Sequence, residues 1–195
     1  MEENRKNLVD FIRNALPVAE DRVLSISSSF EAVHAEKNDY LLKIGQVSND
    51  FFYLESGFLR TFTYDARGNE VTTGFYKAGA LVADVVSFFK QKPALEDMQA
   101  LSASKLWRLN YAQFQVWFHT VPEFREFGRA NLVNGFIALK ERTLSMINLT
   151  AEQRYENLLR TRPEIFQQAS LKHIASYLGI TDTSLSRIRK EIVRK

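Results

Sequence analysis

The sequence predicts an α+β fold: an antiparallel, jelly-roll-like β-roll with flanking helices, then one long helix, then a small helical unit at the C-terminal end. Three observations predict it. Between about residues 31 and 110 apolar side chains recur at every second position, in short runs separated by Gly and Asn/Asp turns, as half-buried antiparallel strands require. Before and after that stretch the recurrence changes to three and four residues. No apolar run reaches the roughly 18 residues of a membrane span, and 45% hydrophobic residues in 195 suffice for one large domain or two small ones.

Taken in order, Leu8, Phe11, Ile12, Ala15 and Leu16 make an amphipathic helix over 4–16 that Pro17 ends, and a second helix covers 18–28. Strands follow at 40–44, 51–54 and 58–64. Ser56-Gly57 turns the chain, and residues 65–70 form a hairpin loop leading to a strand at 71–76. Leu81-Val82, 98–101 and 106–109 continue the alternation, while 84–97 breaks it as a short helix and a loop. A short helix spans 111–119. From Pro122, a favoured first-turn residue, no proline interrupts the chain until beyond Asn148. Ala130, Val133, Ile137, Lys140, Leu144 and Ile147 lie at helical spacing along that stretch, with Lys140 interrupting the apolar seam. A helix of some 25 residues is about 37 Å long, more than a small domain's core needs, so the seam reads as a self-pairing dimer interface. Thr150 and Gln153 form a capping box that opens a further helix through Leu159, and Pro163 starts another. The expected division is 1–121 for a sensor-like β-roll, 122–149 for the dimerisation helix and 150–195 for the helical unit.

Composition excludes several chemistries. With no Cys there are no disulfides, thiolate zinc sites, Cys-ligated iron–sulfur clusters or Cys nucleophiles. His34, His119 and His173 are the only histidines and form no H-x-H pair, so neither a metal site nor a catalytic residue is expected. The N-terminal Met1–Arg5 stretch is charged and lacks the apolar core of a secretory signal, and a cytoplasmic location is expected. Residues 151–195 carry nine Lys/Arg against five Asp/Glu, whereas 1–150 carry 17 against 18. The basic excess therefore sits at the C-terminal end, as in a polyanion-binding segment.

That end holds the most constrained motif. Counting Leu171 as position one, Ile174, Leu178, Ile180, Leu185 and Ile188 occupy positions 4, 8, 10, 15 and 18. Ala175 stands where only a small side chain lets two helices cross, and Gly179 where the turn between them favours a left-handed backbone. Ser170 and Thr181 are suitable N-caps. This is the pattern of a helix-turn-helix. Its second helix offers Asp182, Thr183, Ser186, Arg187 and Lys190 outward, with Ser170, Thr181, Ser184 and Arg189 as further DNA contacts. Arg187 suits guanine O6 and N7. Arg189, Lys190, Arg194 and Lys195 lie further along, where phosphate is the expected partner.

With these motifs assigned, the chain resembles the Crp/Fnr family of bacterial transcription regulators along nearly its whole length. Residues 52–60, 151–155 and 174–187 (FYLESGFLR, AEQRY and IASYLGIT running on to LSR) are similar to its hallmarks. The resemblance implies a homodimer bound to a palindromic operator in double-stranded DNA, an effector-sensing roll, contact with RNA polymerase, and no membrane. In the Fnr-like recognition pattern Glu-x-x-Ser-Arg, Ser186 and Arg187 match but Thr183 replaces the Glu, so the operator is expected to differ at that base. The wing that usually follows the recognition helix is not expected, since the sequence stops at Lys195. Members that bind cyclic AMP carry a Gly-Glu pair and, about ten residues on, an Arg. Ala83-Asp84 stands at the pair and Lys90–Ala94 contains no Arg. An effector other than cyclic AMP is therefore expected, in a pocket drawn from Phe75, Leu81, Ala83, Asp84 and Lys92, with no bound cofactor. The competing readings are a cupin-like metalloenzyme built on the roll and a cyclic-nucleotide-responsive regulator.

Overall fold

A computed structural model of the chain describes residues 5–194. Helices α1 (Lys6–Ala15) and α2 (Glu20–Ser28) come first. Eight strands follow: β1 (Glu31–Ala35), β2 (Tyr40–Leu42), β3 (Asp50–Ser56), β4 (Phe58–Tyr64), β5 (Glu70–Lys77), β6 (Leu81–Val82), β7 (Asp97–Ala100) and β8 (Ser104–Asn110). A short helix, α3 (Val85–Lys90), interrupts them between β6 and β7. The strands form two antiparallel sheets, ordered β1-β8-β3-β6 and β2-β7-β4-β5. Leu42, Phe52, Leu54, Leu59, Val82, Met98, Ala100 and Leu106 fill the space between them.

Local chemistry explains most boundaries. Gly57 separates β3 from β4 at φ +99°, and a Cβ there would lie 2.2 Å from Ser104 Oγ, so both backbone and space demand glycine. At the β4–β5 hairpin the Asp65 carboxylate accepts from the Arg67 and Asn69 amides. The strand expected over 40–44 stops at Leu42, because the amides of Lys43 and Ile44 bond Gln46 Oε1 and the Asp97 carboxylate instead of a neighbouring strand. β1, which lies before the first strand expected at 40–44, pairs with β8 from Glu31↔Arg108 to Ala35↔Ser104.

After β8 come α4 (Tyr111–Thr120), α5 (Pro122–Asn148), α6 (Ala151–Thr161), α7 (Ile165–Gln168), α8 (Leu171–Leu178) and α9 (Asp182–Arg194). The capping box at Thr150 and Gln153 is formed in both directions. An aromatic-rich cluster of Leu8, Ile12, Val23, Trp107, Phe114 and Phe124 fixes α1, α2, α4 and the start of α5 to the outside of the first sheet. The second sheet is covered differently. Phe58, Phe75 and Leu101 of the roll share one buried cluster with Tyr155, Leu158, Ile165, Ile174, Leu178, Leu185 and Ile188 of the C-terminal helices. The division expected at about 149 therefore runs between helices whose core is held in common with the roll. Among the described residues no helix is long and apolar enough to cross a membrane.

Candidate nucleic-acid interface

The helix pair α8 and α9 is built by its caps and its turn. Ser170 Oγ accepts from the His173 amide at 3.2 Å and opens α8. Gly179 closes it at φ 68°, with the Ile180 amide returning to the Ala175 carbonyl at 3.0 Å, the bond that forms when a helix ends on a left-handed residue. Thr181 Oγ1 accepts from the Ser184 amide at 3.2 Å and starts α9. Ile174, Ala175, Leu178, Leu185 and Ile188 are buried between the helices and the roll.

Burying Leu185 and Ile188 turns the opposite side of α9 to solvent. Asp182, Thr183, Ser186, Arg187 and Lys190 line one open concavity along its first turns. Arg187 is unencumbered: its side chain is 76% exposed, and its nearest carboxylate, Glu191, is 3.9 Å away. An exposed pair at that distance holds the guanidinium with little energy. Of the other expected contacts, Thr181 and Arg189 are exposed, Ser184 is half-buried and within 3.0 Å of Thr181 Oγ1, and Ser170 is occupied as a cap. The side chain of Arg194, and all of Lys195, lie outside the described residues.

Helix α5 presents a second exposed surface. Residues 132–141 are exposed without a break, and Val133, Ile137, Leu144 and Ile147 are exposed along with Ala130 and Lys140. Leu132, Phe136 and Leu139, absent from the expected seam, widen it. Phe136 is 67% exposed, a large apolar side chain left mostly open to water. The opposite side of α5 faces its own chain. Arg142 donates to the carbonyls of Thr73 (2.6 Å) and Thr72 (3.2 Å) on β5 and of Tyr177 (3.3 Å) on α8, and it lies 4.3 Å over the Tyr177 ring. Beside it the Thr72 amide donates to Ser176 Oγ at 3.1 Å, and Phe75 packs on Tyr177. Further along the seam the Arg60 guanidinium is almost fully buried and bonds Glu70 and Gln99. His173 faces it, and burial, reinforced by the Arg60 charge, lowers the His173 pKa to about 4. The docking role of these residues has no local signal in the sequence, because each acts across the chain.

Of the five residues expected to form an effector pocket, Leu81 and Ala83 share one cavity, which Phe75, Asp84 and Lys92 do not line. Phe75 points to the seam with α8, because the β4–β5 register slips between Thr61 and Phe62 and leaves Gly74 and Tyr76 next to the roll interior. Leu81 and Ala83 line a small apolar cavity of about 50 Å³ outside the first sheet, beneath α3, α4 and α5. Asp84 caps α3 by accepting from the Ser87 amide at 2.9 Å, and Lys92 is exposed. The Lys90–Ala94 loop, which lacks an Arg, leads into Glu96, a half-buried acid whose pKa is raised by that burial against its hydrogen bond to Thr73. Among the described residues no group of three or more His, Cys, Asp or Glu is placed to hold a metal ion.

Comparison with known proteins agrees with this architecture. The cyclic nucleotide-binding domain family matches residues 32–120. The fumarate and nitrate reduction regulatory protein of Vibrio cholerae is 24% identical over 164 residues, covering 78% of this chain, which spans only 65% of that relative's length. Among solved structures, a regulator of the Crp/Fnr family from Eubacterium rectale superposes with a TM-score of 0.74 at 15% identity, covering 93% of this chain and 88% of that one. FixK2 from Bradyrhizobium japonicum gives a TM-score of 0.73 at 12% identity, covering 85% of each chain.

Proposed function

We propose that this chain is a transcription regulator of the Crp/Fnr family that binds a palindromic DNA operator as a homodimer through α9 and performs no catalysis. The observation that carries the reading is the outward face of α9. Asp182, Thr183, Ser186, Arg187 and Lys190 are held in the open by two buried anchors, Leu185 and Ile188. A helix presented in this way enters the major groove with its first turns on the base edges. Arg187 is the base-reading residue, bidentate on a guanine, and Thr183 and Ser186 reach bases or phosphates. Lys190 and Arg189 contact the backbone and orient the complex. The uncovered apolar side of α5 supports pairing of two chains, which sets two α9 helices against two half-sites.

In this reading the protein is cytoplasmic and its roll serves as sensor. Nothing among Ala83, Asp84 and Lys92 supplies the bidentate donor a cyclic phosphate needs, and Glu96 adds an acid nearby. The roll therefore answers to an effector other than cyclic AMP. The test is a mobility shift on DNA fragments recovered by genomic footprinting. A two-fold symmetric site whose affinity falls steeply with salt is expected. Binding that ignores both sequence and salt overturns the assignment.

A further inference from the structure

A cleft of about 230 Å³ opens between α5, α6 and α8, where the long helix passes into the C-terminal helices. Glu141 and Arg142 of α5, Arg154, Asn157 and Thr161 of α6, and Arg162 line it. Three guanidinium groups against one carboxylate give it a surplus of positive charge. The two central arginines are also fixed in place. Arg142 is held by three main-chain carbonyls and the Tyr177 ring. Arg154 donates to the Leu178 carbonyl from Nε (3.1 Å) and Nη2 (3.0 Å), and to the Leu149 carbonyl from Nη1 (2.7 Å). Carbonyl partners fix a guanidinium without cancelling its charge, and each guanidinium retains N–H donors beyond those used. Arg162 is steadied by the Phe75 carbonyl at 2.8 Å and stands 3.5 Å from Glu164. Such pre-placed cations lose little further freedom on meeting an anion.

The cleft is also separate from the apolar side of α5. Ala138, Glu141, Arg142 and Ser145 face it, whereas Ile137 and Leu144 lie roughly 100° round the helix. A second copy on that apolar side leaves the cleft open. We propose that this cleft binds a small polyanion, a molecule carrying two or more phosphate or carboxylate groups. The volume is below the roughly 300–1,000 Å³ of sites for drug-sized ligands, so the ligand is compact. Bridging Arg142 to Arg154 braces the junction of α5 and α6, and such a ligand favours the conformation in which the two are near each other.

The site is tested by calorimetric titration of the full chain with pyrophosphate, and separately with citrate, at low ionic strength. Saturable binding of at least one of the two is expected. Thr161 is an exposed rim residue whose hydroxyl bonds only within its own helix, to the Asn157 carbonyl at 2.8 Å. Thr161→Glu should weaken binding about tenfold, equivalent to about 1.4 kcal/mol, and Thr161→Lys should strengthen it. No saturable heat with either anion overturns the proposal. So does equal affinity in wild type and both variants, which would place the anion elsewhere on the surface. If Thr161→Glu fails to fold, unchanged affinity in Thr161→Lys overturns it alone. No DNA is present, so this result and the operator experiment fail independently.

Discussion

Ser176 of α8 and Thr72 of β5 are bonded twice: the Thr72 amide donates to Ser176 Oγ at 3.1 Å, and the Ser176 hydroxyl lies 2.9 Å from Thr72 Oγ1. Thr72 is fully buried. Ser176→Ala therefore strands a main-chain N–H away from water, at a cost of about 1–3 kcal/mol. A lowered thermal midpoint is expected, with faster amide exchange along α8. An unchanged melt together with unchanged exchange would mean that this contact does not hold α8 to the roll.

The proposed pairing of two chains through the exposed side of α5 is open to a direct test. Ile137→Glu combined with Leu144→Glu puts two charges into the apolar seam and should give a monomer by light scattering. Operator affinity should then fall on the order of 10²–10⁴-fold, because the second half-site contact is no longer tethered to the first. A variant that remains dimeric would move the interface elsewhere.

Arg187 and Lys190 should separate base reading from phosphate contact. Arg187→Ala is expected to cost about 1–3 kcal/mol on the preferred operator and to relax discrimination at a single base pair per half-site. Lys190→Ala should weaken all sequences alike and reduce the salt slope by about one unit. Binding of both variants to a panel of single-base operator changes at several salt concentrations measures this. Uniform weakening by Arg187→Ala would reassign it as a phosphate clamp.

Acid should loosen the seam through His173. Its pKa is lowered from the usual 6.5 to about 4 by burial and by Arg60, with Lys172 acting in the same direction and Glu70 opposing them. The unfolded chain thus binds the proton more readily between those values, and stability falls as pH drops from about 6.5 towards 4. The thermal midpoint of wild type should decline more steeply over that window than that of His173→Gln. Parallel curves would remove His173 from the acid response.

Cyclic AMP should neither bind the roll with micromolar affinity nor tighten operator binding. Calorimetry and a mobility shift with and without the nucleotide measure this. A micromolar site in the roll would overturn the reading that its effector is not cyclic AMP.

Local rules made most of this structure legible in advance. Positions 170–188 could be assigned residue by residue, because a cap, a left-handed glycine and a small crossing residue each act on their immediate neighbours. Pro122 and the long uninterrupted stretch likewise marked α5. What escaped the sequence is long-range. Thr72 and Ser176 are 104 positions apart, and nothing in either segment announces the other. The outward placement of Phe75 escaped the sequence for a related reason. A one-residue slip between β4 and β5 decides which side chains face inward, and alternation alone does not locate the slip.

A cut at residue 149 would not release two finished halves. Phe58, Phe75 and Leu101 form one apolar cluster with the helices beyond that point, so each fragment would carry an uncovered greasy patch where the other had been. The intact monomer should melt in a single calorimetric transition, with the two parts lending each other cooperativity. The same dependence restricts domain exchange: a C-terminal helical unit grafted from another protein would have to bring side chains that fit Phe58 and Phe75, whatever DNA sequence it reads.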